Sequence, residues 1–417
     1  MTSERTDRDL DAALGAWMHD VAPAAVPVPV LEEAFARTMT VPQARVYPWL
    51  RVTRRSSRSR GLTQLSLVAT AALFVGVLAL GALGAGFGGG PAPSPTPSTT
   101  AVPASASASA SLSVSIPIVP TASVAVVGPM SLATDGKVVW ALTGTGLVRR
   151  IDPVTNAVGA GVQTGAISDA YQGMSVDGNG VWVTDSTTMM LYRVDPLALK
   201  VAATIKVGLA PKGVLAAGSA VWVADTHSGT VLRVDPTSNK IVATVTVGPT
   251  GPSGPNWLAS GLGSIWVGVP NASMVVRIDP VTNAIQARIA IPVEASPCGG
   301  FAITPVAVWI TGCDGPRTIA RIDPATNTVV GTVAINGHAQ MPAVIGGVPW
   351  VSLDTSPSAP GSLVRVASAT NAVDLELSPG VDFGGGGDLV VAAGSAWVID
   401  GGQDRVLRLP LSGFSPG

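Results

Sequence analysis

The chain has 417 residues, a formal net charge of −1 and 12% charged residues, about half the share usual in a soluble domain. That balance leaves no basic surplus for a nucleic-acid partner, the 47% hydrophobic content excludes disorder throughout, and two cysteines exclude a disulfide-rich scaffold. A mean hydropathy of +0.43 suggests a membrane protein and makes the location of the apolar residues the first question.

Residues 1–60 hold nine Arg and seven Asp or Glu. Asp7–Val21 places Leu10, Leu14, Trp17 and Val21 on one helical stripe, and Val30–Met39 repeats the idea with Leu31 and Phe35. Prolines between the two stretches break any single helix. The expectation is a small helical segment that assists membrane insertion or docks a cytoplasmic partner, for example in an anti-sigma arrangement. Of the usual zinc ligands in such domains it offers His19 and no Cys.

The next charged residue after Arg60 is Asp135, a gap of 74 residues with two halves. Leu62–Leu83 has neither charge nor Pro. At about 1.5 Å per residue it reaches roughly 33 Å, enough for a bilayer core. Arg51, Arg54, Arg55, Arg58 and Arg60 precede it, with nothing to balance them beyond, so 61–87 is expected to be a transmembrane helix with its N-terminus in the cytoplasm. Residues 88–122 are rich in Pro, Ser, Thr and Ala and form an expected linker.

Residues 123–417 contain a repeat. Trp140, Trp182, Trp222, Trp266, Trp309, Trp350 and Trp397 recur at spacings of 40–47 residues, mostly flanked by Val, Ile or Ala. Ten to fifteen residues after each comes a second motif, Arg150-Ile151-Asp152-Pro153, Arg193-Val194-Asp195-Pro196, Arg233-Val234-Asp235-Pro236, Arg277-Ile278-Asp279-Pro280 and Arg321-Ile322-Asp323-Pro324, decaying to Arg365-Val366 and Arg408-Leu409. Pro presets φ for a turn, Asp accepts bonds from the turn backbone, and the Asn that ends most copies tolerates the left-handed conformation. Each unit fits four short strands, so the fold class is all-β, a seven-bladed β-propeller. The last copy lacks a fourth strand and Ser123–Gly128 lacks a repeat of its own, so the N-terminal strand is expected to complete blade seven and close the ring. Because each Arg precedes an Asp by two residues in five blades, structural pairing within or between blades is expected of them.

The Trp and Arg-Ile-Asp-Pro-x-Thr-Asn motifs resemble the YVTN/NHL-type propellers and, among them, the streptogramin (virginiamycin B) lyase-like group. That resemblance covers residues 123–417 and implies a magnesium site with a catalytic His and Glu. The propeller region offers His227, His338, Glu294 and Glu376, with His227 in blade three and His338 in blade six.

Ligand-binding candidates are the polar residues of the loops around the channel mouth: Gln172, Asp185, Asp225, His227, His338, Asp354 and Asp400, with Asn256, Asn271, Asp314 and Asp382 nearby in sequence. Asp185, Asp225 and Asp400 follow the Trp strand directly and are candidate ligands of a divalent cation, Mg or Ca; the alternative is that they cap local turns. Cys298 and Cys313 lie on two loops of one blade that share a face, and outside the membrane a disulfide between them is expected.

The sequence therefore predicts a single-pass protein of the cell membrane that presents an extracytoplasmic propeller for recognition or scaffolding of a protein, glycan or small ligand. The alternatives are a lyase or hydrolase working at the channel mouth, and a transmembrane sensor reporting through residues 1–60.

Overall fold

The computed structural model describes residues 115–165, 173–292, 295–312, 317–355, 360–383 and 387–415. The expected N-terminal helices, transmembrane helix and most of the linker lie outside the described residues. Among the described residues no helix is long and apolar enough to cross a membrane.

Seven antiparallel sheets follow one another along the chain, with strands spanning 129–163, 174–206, 211–246, 258–290, 301–334, 338–381 and 389–410. Within each sheet the strands pair in chain order, and the first strand of every sheet packs on the first strands of both neighbours, so seven blades close into a ring. The short strand β1 (Ser115–Pro117) and the strand β2 (Ala122–Ala125) precede the first blade. β2 pairs antiparallel with the last strand of the chain, Ala122 opposite Arg408 and Ala125 opposite Arg405, and becomes the missing fourth strand of blade seven. β1 was not expected. It adds a fifth, parallel strand to the outer edge of blade six, with Ser115 opposite Glu376. The described strands thus begin at Ser115, within the stretch read as linker. Between the two strands Ile118 is buried with Leu377, Phe383 and Phe414, which fixes the chain across the seam of blades six and seven.

The second strand of each blade is buried on both faces because blades stack on either side of it. All seven motif tryptophans are buried, none exposing more than 2% of its surface. Each stands directly opposite the motif arginine of the third strand: Trp140 and Arg150, Trp182 and Arg193, Trp222 and Arg233, Trp266 and Arg277, Trp309 and Arg321, Trp350 and Arg365, Trp397 and Arg408. In five blades the guanidinium lies 4.9–5.5 Å from the indole centroid, a cation–π stack. The same arginines then reach the next blade. Arg193 Nη1 donates to Pro236 O (2.8 Å) and Asn239 Oδ1 (3.3 Å), and Arg277 Nη1 to Pro324 O (2.8 Å) and Asn327 Oδ1 (3.0 Å). Arg233 reaches Asn283, Arg321 reaches Asn371, and Arg408 of the last blade reaches Asn156 of the first.

The expected pairing of Arg with the Asp two residues on is therefore replaced by a division of labour. The Asp serves its own turn: Asp152 Oδ1 accepts from the N–H groups of Val154 (2.8 Å) and Thr155 (3.0 Å), and Asp195 and Asp279 do the same with Leu197 and Ala198, and with Val281 and Thr282. The Asn sits at positive φ, as at Asn156 (59°), Asn239 (55°) and Asn327 (56°), where it costs least of the non-glycine residues. In that conformation it also presents its side-chain carbonyl to the arginine of the preceding blade.

A second set of ties lies at the inner ends of the seams. Thr226 Oγ1 donates to Pro255 O (2.8 Å), Asn256 Nδ2 to Cys298 O (3.3 Å) and Thr311 Oγ1 to Gln340 O (3.4 Å), while Thr184 and Ser352 hydroxyls donate to Lys212 O and Gly387 O. Each crosses from one blade to the start of the next. Gly213 is required at one of these crossings, because a Cβ there would stand 2.2 Å from Asn256 O.

Two tests follow from this architecture. Asn327→Gly keeps the left-handed turn but removes one of the two acceptors of Arg277 Nη1, leaving Pro324 O, and is expected to lower stability by about 1 kcal/mol in thermal or urea unfolding. A chain beginning at Ala122 keeps blade seven closed, whereas one beginning at Gly128 leaves the edge of Arg405–Pro410 unpaired; gel filtration should find the second aggregated and the first monodisperse.

Candidate functional site

The connections between second and third strands and those leading into the first strands share one face of the ring, and the sequence candidates fall on it. Asp185 and Asp400 expose none of their surface and Asp225 exposes 1%. Asp185 accepts from Thr187 N–H (2.9 Å) and from the Thr188 hydroxyl. Asp225 Oδ1 accepts from the N–H groups of Leu209 (3.0 Å) and Ala210 (2.9 Å), joining the start of its blade to the end of the Trp strand. Asp400 accepts from Asp382 N–H (3.2 Å) and from Arg405 Nε (2.6 Å), the latter a salt bridge. All three carboxylates are engaged by local backbone or by a neighbouring arginine, the turn-capping alternative raised above. Among the described residues no group of three or more His, Cys, Asp or Glu is placed to hold a metal ion.

His227 and His338 are both exposed and lie in different blades, three and six. The two are not brought together by any one blade. His338 stands opposite Asp354 in register, and its Nε2 lies 2.9 Å from Arg317 Nη2, which ends the corresponding loop of blade five. With the guanidinium donating, the ring nitrogen that accepts is Nε2. Arg317, His338 and Asp354 thus assemble at the junction of blades five and six, a grouping the sequence did not signal because Arg317 belongs to another blade. Cys298 is disulfide-bonded, and the other cysteine of the chain, Cys313, lies outside the described residues, as do Gln172, Glu294 and Asp314.

Around the channel mouth, half-exposed side chains stand where the first strands begin: Met130, Lys212, Trp257, Gln340 and Met341. Trp257 is the one tryptophan of the propeller outside the repeat. That departure from the period was the available signal for it. Asp388 follows a glycine run and crosses to blade one, where its Oδ2 accepts from Ser131 Oγ (2.7 Å) and Leu132 N–H (2.7 Å). A surface pocket of about 320 Å³ lies beside the closing blade, lined by Val126, Gly128, Thr143, Thr145, Leu147 and Arg149 among others.

Removal from water pushes the Asp388 carboxyl up to about 6, against the two hydrogen bonds that favour its charged form. The hairpin aspartates go the other way. Asp152, Asp195, Asp279 and Asp323 are held below the ordinary carboxylate value chiefly by N–H donors of Thr155, Ala198, Thr282 and Ala325, and Asp235 chiefly by the Ser238 hydroxyl.

No protein-family model matches the chain, and no curated protein matches it in sequence. Solved structures match in fold. A streptogramin B lyase structure superposes with a TM-score of 0.56 at 15% identity, over 71% of this chain and 95% of that one. The Kuenenia stuttgartiensis hydrazine synthase gives 0.58 at 13% identity, over 70% and 97%. The Neurospora crassa Pan2 WD40 domain gives 0.51 at 10% identity, over 68% and 89%. The chain is a seven-bladed β-propeller similar in structure to streptogramin B lyase and to WD40 proteins. At these identities the likeness is one of fold, which hosts many functions.

The opposite titrations make a signed prediction. Asp388 binds its proton more tightly in the fold than in the unfolded chain, where the carboxyl titrates near 3.8, so its contribution is full below that pH and is lost as pH rises through about 6. The hairpin aspartates contribute above pH 3.8 and lose that contribution as pH falls below it. The melting temperature should peak between about pH 4 and 5. Asp388→Asn retains an acceptor for Ser131 and Leu132, and should flatten the decline between pH 5 and 7 and raise stability at pH 7 by up to about 3 kcal/mol.

Proposed function

We propose that this protein is a recognition module, a propeller displayed on the outer side of the cell membrane by a single N-terminal span, which takes a protein, glycan or small ligand at the loop face around its channel mouth. The observation that carries this reading is the contrast between two sets of polar and aromatic residues. The repeated ones are occupied: the motif Trp and Arg hold blades together, and Asp185, Asp225 and Asp400 hold turns. The non-repeated ones at the loop face, Trp257, Gln340 and the exposed Arg317–His338 pair, stay accessible. An aromatic surface beside amide and guanidinium donors suits a ligand with an apolar ring or chain and an acidic or polar head. The anchor expected from sequence supports the same reading, since an uncharged Leu62–Leu83 behind five arginines would put all that follows outside the cytoplasm.

A second reading, a lyase or hydrolase at the mouth, draws on one grouping. His338 has Asp354 opposite it in register and Arg317 at its Nε2, a base with an orienting neighbour and a cation beside it. A third, transmembrane signalling, rests on the N-terminal segment and its expected cytoplasmic partner.

A thermal-shift screen of the full chain against glycans, peptides and small acids tests the first reading. Ligands should raise the melting temperature of the wild type and fail with Trp257→Ala and Arg317→Ala, and hits that survive both substitutions would sink the loop-face site. Protease added to intact cells should digest the propeller and spare residues 1–60; a protected propeller would remove the proposed topology. Loss of turnover in His338→Ala with ligand binding intact would favour the enzyme reading.

A further inference from the structure

The belt of Arg–Asn ties is broken at one place where the chain pairs its arginine with nothing else. Of the seven arginines opposite the motif tryptophans, six are half-buried and Arg150 alone is exposed. Five reach an Asn of the next blade. Arg365 cannot, because blade seven takes its fourth strand from β2 and has no such hairpin, and it is compensated by a two-point salt bridge to Asp374 (2.8 and 3.2 Å). Arg150 has no such substitute. Among the described residues it has no hydrogen-bond or ion-pair partner. The cause lies in the hairpin of blade two, where Asp195-Pro196-Leu197-Ala198-Leu199 puts Leu199 at the position of the Asn.

That substitution is unfavourable in two ways. Leu199 is held at φ 47°, a left-handed conformation that suits Asn and strains Leu. It also deprives the preceding blade of its acceptor. Nor is burial gained in return, since Leu199 exposes 40% and its neighbour Leu197 exposes 91%. Val154, at the tip of the hairpin that follows Arg150, exposes 82%. A local rule broken without compensation inside the fold marks a position kept for something outside it. The result is a patch on the hairpin face of blades one and two that joins apolar side chains to an unpaired guanidinium, with the exposed Lys200 next in sequence to Leu199.

We infer that this patch docks a protein segment in which a carboxylate is flanked by apolar side chains, the carboxylate meeting Arg150 and the apolar groups covering Leu197, Leu199 and Val154. Asp152 and Asp195 are each bonded to their own turn, and Asp152 acts on Arg150 only through space, so the guanidinium is offset in part but held by no local hydrogen bond or ion pair. An anionic bilayer fits less well than a peptide. A flat membrane laid on this face meets the half-buried carboxylates of five hairpins, Asp152, Asp195, Asp235, Asp279 and Asp323, whereas a segment confined to blades one and two meets only the first two. The surface is separate from the loop face, so it stands or falls independently of the function proposed above.

The test is selection from a random-sequence peptide display library on the full chain, with vesicles containing phosphatidylserine assayed in parallel. Enriched peptides are expected to place Asp or Glu beside Leu, Ile or Phe. Their affinity should fall by about tenfold or more in Arg150→Glu. Leu199→Asn is the discriminating variant: it relieves the strained φ and restores the acceptor for Arg150, so it should raise the melting temperature while abolishing peptide binding. A loss of binding in a more stable protein has no explanation in misfolding. Failure to enrich any acidic peptide, binding unchanged in either variant, or an Arg150-dependent preference for the vesicles over peptides would each overturn the inference.

Discussion

An arginine that lies on the indole of its own blade and donates to the turn of the next is the contact on which the ring depends. A four-stranded sheet of this size cannot bury its faces alone; stacking removes both from water at once, and the tryptophans supply the largest single areas. Stacking by itself does not fix the angle between neighbours. The guanidinium does, because its planar fork satisfies an aromatic face on one side and a carbonyl pair on the other. Made at five of the seven seams, the one from Arg408 to Asn156 among them, it sets a common pitch for the blades it joins.

The sparse charge of this domain acquires a structural meaning from that contact. A half-buried arginine needs acceptors, and the hairpin provides them as neutral amide and peptide carbonyls while the adjacent Asp is reserved for the turn's own N–H groups. Buried carboxylates follow the same economy. Asp225 joins two parts of one blade, and Asp388 joins blade seven to blade one, at the cost of a carboxyl whose charge is disfavoured by its surroundings. Polar groups are placed mainly where they connect segments distant in sequence.

What sequence made legible was what local chemistry dictates. The blade count followed from the tryptophan period, the turns from Asp-Pro-x-Thr-Asn, and the completion of blade seven from a strand without a repeat beside a repeat without a strand. The destination of the arginines was hidden, because Asp152 is two residues from Arg150 along the chain whereas the true acceptors lie in another blade, about fifty residues away in the case of Arg277 and Asn327. β1 was hidden for a related reason: Ser115–Pro117 sits in a Pro- and Ser-rich run, and only the free edge of blade six makes it a strand. At the loop face, reading by residue type picked out Asp185, Asp225 and Asp400, which the fold uses for itself. Arg317 beside His338 and Trp257 at the mouth needed knowledge of which blades are neighbours.

The closing strand also sets a schedule. β2 is made near the beginning of the domain, yet its partner is the last strand of the chain, with Thr121 and Arg408 joined across a sequence separation of 287 residues. Six blades are complete in hydrogen bonding before the seventh can be, and until then the ring has an open gap with an uncovered blade face on each side. Contacts of such separation form late, because the entropy of closing the intervening chain must be met first. Completion of the circle therefore reports that the whole propeller has been made, and a chain interrupted within it remains recognisable to quality-control machinery by the gap it still carries.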